Sequence, residues 1–177
     1  MAVLLAQPPS AANDEIDLAT RTVAELLRPD ARRAFADLSV LQGAFDAEFG
    51  ARVCGLPTTT FLPVVMDLVD HGLVQASPDR TFPYLMLEPI RAVAARLLDA
   101  TGGRDEAAER AADACIVRAR ELNGTDRAAD LDARLAADLP RHREAFDHFA
   151  RRGDAERALR LACYLDAPLY TLGWWVE

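Results

Sequence analysis

The chain has 177 residues, 51% of them hydrophobic, which is enough for one domain or two small ones with a buried core. Its net charge of −8 repels a phosphate backbone at long range, and all 20 of its basic residues are arginine. With no lysine anywhere, the G-x-x-x-x-G-K-[ST] phosphate loop of nucleotide hydrolases is excluded, because its lysine must reach the β- and γ-phosphates.

Alanine, leucine and arginine dominate, and all three favour helix. The exclusive use of arginine reads as the codon bias of a GC-rich genome rather than as adaptation to a ligand. Residues 1–13 read as a flexible leader: the apolar stretch Ala2–Ala6 is too short for a signal-peptide core and has no basic start. Asp14 to Leu27 sets Ile16, Ala19, Val23, Leu26 and Leu27 on one face at helix spacing. Pro29 breaks that helix, and Asp30 caps a second, whose apolar face holds Ala34, Phe35, Leu38 and Leu41 before Gly43 ends it. Asp46 starts a short helix that stops at Gly55. Thr58, Thr59 and Thr60 offer N-caps for a helix from about Phe61 to Asp70, terminated by His71-Gly72.

Leu73–Ala76 and Phe82–Leu87 are strand candidates joined by the turn Ser77-Pro78-Asp79-Arg80. A helix resumes at Glu88, with Ile90, Val93, Ala94, Leu97 and Leu98 inward, and closes at Thr101-Gly102-Gly103. Arg104 to Leu122 carries Ala108, Ala111, Ala112, Cys115, Ile116, Ala119 and Leu122 as one stripe. A helix over Ala128 to Leu139, a new one from Arg141 to Arg152 opened by Pro140, and a last one from Asp154 to Leu165 follow. The fold class is mainly α. Three helices followed by a β-hairpin describe a winged-helix domain over residues 14–102, and the antiparallel helix pairs over 103–177 describe a TPR-like helical-repeat segment, truncated at its end.

Four blocks carry a family resemblance: ARRAFADLSVLQGAFDAEFGARVCG (31–55), LVDHGLVQ (68–75), YLMLEPIRAVAARLL (84–98) and LPRHREAFDHFARRGDAERALRLACYL (139–165). In this order they resemble the winged helix and first helical repeats of STAND-type signalling ATPases, with the AfsR-like and LuxR-type bacterial transcriptional regulators as the nearest match. The resemblance covers about Ile16 to Trp175. It implies a regulatory relay segment between an ATPase core and a superhelix of repeats, with other domains of the parent protein or protein partners as what it binds. It also implies a Met-His-Asp triplet whose histidine touches the nucleotide phosphate. Here the matching triplet is Met86-Leu87-Glu88, and Leu87 cannot donate to a phosphate. The paired Trp174 and Trp175 call for a neighbouring helix to bury them.

Neither catalysis nor a metal is expected. Cys54, Cys115 and Cys163 are far apart, without CxxC spacing, and read as buried thiols in a reducing cytoplasm. His71 sits at a helix C-terminus, and His142 and His148 lie on different faces of one helix without HExxH spacing. Acid pairs such as Asp67/Asp70 read as solvated surface, no G-x-S-x-G elbow occurs, and no cofactor site is found. No run approaches the ~18 apolar residues of a membrane span.

DNA binding is the rival reading, as a free-standing winged-helix regulator. Its recognition helix would be Thr59 to Asp70, which has two acids and no base. From Asp30 to Asp99 six arginines face nine acids, a local net of −3. Arg80, at the wing tip, is a single phosphate-contact candidate. An arginine-rich stretch on the last helices, including Arg141, Arg143, Arg151 and Arg152, reads as solvated and paired with neighbouring acids, with docking of an acidic partner as the alternative. The candidate interaction residues are therefore Arg80, Arg141, Arg151, Arg152, Trp174 and Trp175.

Overall fold

A computed structural model describes residues 11–77, 81–123 and 128–171. Among them the chain is mainly helical, with eight α-helices and one two-stranded antiparallel sheet. In order these are α1 (Ala11–Leu26), α2 (Pro29–Asp37), a 3-10 turn (Leu38–Val40), α3 (Ala47–Val53), α4 (Thr58–Asp70), β1 (Gln75–Ala76), β2 (Tyr84–Leu85), α5 (Glu88–Ala100), α6 (Arg104–Asn123), α7 (Ala128–Arg151) and α8 (Ala155–Thr171). No single helix among the described residues is long and apolar enough to cross a membrane.

Local chemistry sets several boundaries. Asp46 caps α3 by accepting a 2.8 Å hydrogen bond from the Phe49 amide. Asp154 does the same for α8 through the Arg157 amide at 3.0 Å. Pro29 does not merely end α1: it occupies the first turn of α2, where its missing N–H costs nothing, and Asp30 sits inside that turn. The caps expected from Thr58–Thr60 are absent; those residues are already helical, and Pro57 precedes them.

The largest departure from the sequence reading is at Pro140. Instead of separating two helices it lies inside α7, which runs unbroken from Ala128 to Arg151. An interior proline forfeits one hydrogen bond and crowds the preceding turn. On either side of it, however, Leu135 and Phe149 are fully buried, so packing holds one helix across the defect. On α1 the buried face is Thr20 and Ala24, with Leu27 buried just past its end, whereas Leu26 is 74% exposed and Ile16 also faces outward.

One main core runs through most of the described chain, beside a small second cluster of Ala36, Leu98 and Ala107. Phe35, Phe45, Phe49, Phe61 and Leu68 fill the N-terminal part and are continuous with Cys115, Leu122, Leu135, Phe149 and Leu161 of α6–α8. The hairpin pairs Gln75 with Leu85 and Ala76 with Tyr84. Phe45 adds an isolated bridge to Tyr84, through hydrogen bonds of 2.7 and 3.1 Å, and thereby ties the hairpin to the segment before α3. Gly50, on α3, lies where any Cβ would stand 2.7 Å from the Phe61 ring, so α3 and α4 pack closer than a side chain would allow.

Candidate interaction site

Arginines fasten α6–α8 to the N-terminal helices. Arg110 of α6 pairs with Asp37 of α2 at 3.0 Å and donates to the Val53 carbonyl at 2.6 Å. Arg118 of α6 pairs with the cap residue Asp46. Arg141 of α7 pairs with Asp138 at 2.6 Å and reaches the Gln42 carbonyl at 3.1 Å as well as that of Ala44. Its guanidinium also lies over Phe49, 5.4 Å from the ring centroid. Asp138 is 1% exposed, and burial raises its pKa despite Arg118 and Arg141 beside it.

This corrects the reading of Arg141. It is 5% exposed, committed to a carboxylate and two main-chain oxygens, and does not belong to a surface patch. Arg151 and Arg152 are exposed at the end of α7; Arg152 reaches Glu109 at 3.5 Å, and Arg151 makes no ion pair among the described residues. Glu109 also takes His148 at 2.8 Å and Arg157 at 2.5 Å, and these partners hold its carboxyl below the ordinary range. Arg80, Trp174 and Trp175 lie outside the described residues.

The histidines separate by environment. His71 ends α4 and bonds the Asp67 carbonyl at 2.8 Å. His142 is 2% exposed, neither ring nitrogen has a hydrogen-bond partner among the described residues, and burial lowers its pKa to about 4, aided by Arg118 and Arg141. Of the thiols, Cys54 and Cys115 are buried, and burial pushes Cys115 up to about 12; Cys163 is exposed. Among the described residues no group of three or more His, Cys, Asp or Glu side chains could hold a metal ion.

Two concave surfaces stand out. A groove of about 650 Å³ runs between α7 and α8, walled by Phe146, Leu161, Leu165 and Leu169, with His142 on its lining and Cys163 at its side. A cleft of about 530 Å³ opens where the 3-10 turn and α5 meet α6 and α7. On α4, Leu62 and Met66 are 41% and 48% exposed, next to Asp67 and Asp70.

The buried polar residues Asp138, Arg141 and His142 were missed by reading charge as surface. A signal was present: Leu135, Asp138, His142, Ala145 and Phe149 recur at three- and four-residue steps, so polar residues stand within an apolar stripe. Comparison with protein-family models, curated proteins and solved structures found no match to this chain.

Proposed function

We propose that the chain is a non-catalytic regulatory and protein-interaction module of a STAND-type transcriptional regulator, in which α1–α5 with the hairpin act as a winged helix and α6–α8 as the first TPR-like repeats. Its role is to pass nucleotide state from an ATPase core to a helical sensor array in the cytoplasm, by rigid-body docking and release. The observation that carries this reading is the outer face of α4. A helix that reads DNA needs arginine, lysine, asparagine or glutamine on that face. Here it offers Leu62 and Met66 beside Asp67 and Asp70, a face suited to protein contact and repelled by phosphate. The Arg110, Arg118 and Arg141 fastenings support transmission, because they make α6–α8 move with the N-terminal helices as one body.

The test is the gene on either side of this coding segment. An upstream phosphate loop and downstream helical repeats in the same frame are expected, and a frame holding neither would overturn the reading. A duplex-DNA gel shift distinguishes the rival: no shift at low salt is expected, and a salt-dependent shift would favour a DNA-binding regulator.

A further inference from the structure

The α7–α8 pair receives α6 on one side, where α6 packs against both helices. Two hollows open on the pair, and neither has a residue of α6 in its walls. The first is the groove of about 650 Å³. The second, of about 420 Å³, lies nearer the turn at Gly153 and is walled by small residues such as Ala150, Ala158 and Ala162, with Leu159 beside them. Phe146 borders both hollows and is 44% exposed, and Leu159 is 65% exposed. This face is therefore an aromatic ridge between two apolar hollows, uncovered by any described residue. Single exposed apolar side chains are ordinary, but a contiguous apolar face marks a contact surface.

The charges on the groove point to what covers it. Arg143, Asp147 and Asp166 line it, and none of them makes an ion pair among the described residues. On the same two helices Arg141, Arg152, Arg157 and Arg160 are all paired within the chain. One face thus carries a knob and the hollows to receive it, together with unpaired charges of both signs. An interface about a two-fold axis uses one patch twice, so it needs that self-complementarity.

We propose that the α7–α8 face is the interface of a homodimer, in which each copy seats its Phe146 in a hollow of the other and Arg143 of each copy meets a carboxylate of the other. The size fits a weak dimer. With 17 residues, α8 is about 25 Å long, and two helices side by side are about 20 Å wide. Each copy then covers about 500 Å² and the pair about 1,000 Å², which is the lower bound for a specific interface. The face is separate from that of α4, so the failure of one reading leaves the other standing.

Sedimentation velocity of the whole chain from about 10 μM to about 1 mM tests this, with a reductant present so that the exposed Cys163 forms no crosslink. A shift from monomer to dimer across that range is expected. Cys163 stands on the groove wall, so its alkylation should slow as the dimer forms. Phe146→Glu and Leu159→Glu, at exposed positions, should keep the helical circular-dichroism spectrum of the parent and raise the dissociation constant at least about tenfold. Arg143→Glu makes the three groove charges all negative, and Asp147→Arg with Asp166→Arg makes them all positive. Each of these variants should dimerise more weakly than the parent by itself, and an equimolar mixture of the two should recover the dimer. A monomer at every concentration would overturn the proposal and give the face to a different partner. A dimer untouched by both glutamate substitutions would overturn it in favour of another face, and so would a mixture that associates no better than its components.

Discussion

Acidification should reveal His142. Its imidazole is 2% exposed beside Arg118 and Arg141, and its pKa falls from 6.5 to about 4 on folding. The folded protein therefore binds fewer protons than the unfolded chain between these values. The stability associated with a neutral His142 is intact above about pH 6.5 and is lost as pH falls toward about 4. Between about pH 7 and pH 5 the loss from this one group amounts to roughly 2 kcal/mol, at about 1.4 kcal/mol per pH unit. The carboxylates titrate over an overlapping range, so the measurement is a difference: urea unfolding of the parent and of His142→Leu at both pH values. Leucine has similar bulk and leaves no unpaired nitrogen in an apolar groove, so the variant should equal or exceed the parent at neutral pH. It should also lose about 2 kcal/mol less on going to about pH 5. Parallel losses in the two proteins would refute the assignment of a neutral, buried imidazole.

Two further outcomes follow from packing and charge. Arg141→Met leaves Asp138 buried with only Arg118, at 4.0 Å, and strips a donor from the Gln42 and Ala44 carbonyls; it should cost about 3–5 kcal/mol in chemical denaturation. Adding Asp138→Leu should recover most of that, and a double variant as weak as the single would contradict the account. Gly50→Ala brings a Cβ to 2.7 Å from the Phe61 ring and 3.0 Å from that of Phe45. The overlap costs about 1–3 kcal/mol, against ~1 kcal/mol gained in helix propensity, so the melting temperature should fall by a few degrees; a rise would show that α3 and α4 can part freely.

Much of the helix order was legible because apolar residues recur at helical spacing and glycines close the elements. The Asp46 cap is the clearest case: a short carboxylate before an apolar run favours a helix N-cap, and α3 begins directly after it. The hairpin was visible from its turn residues, although only two residues of each strand pair. Pro140 misled because a rule about local backbone geometry was overridden by burial on both sides. Arg141 misled because composition says where charge usually lies, and it cannot show that a guanidinium will meet two carbonyls nearly a hundred positions earlier. The cleft was invisible for the same reason: its walls come from Ser39, Arg91 and Arg151, which no local pattern connects.

That distance along the chain has a kinetic meaning. The contacts of Arg141 with Gln42 and Ala44 close loops of 99 and 97 residues, whereas Asp46 caps its helix from three residues away. Loop closure must be met before such contacts reward it, so the helices of each half form first and Arg141 locks them together late. Substitutions at Arg141 should then hasten unfolding far more than they slow folding, as a chevron plot would read. The side chain that fastens the two halves thus governs how long the folded molecule lasts more than how quickly it forms.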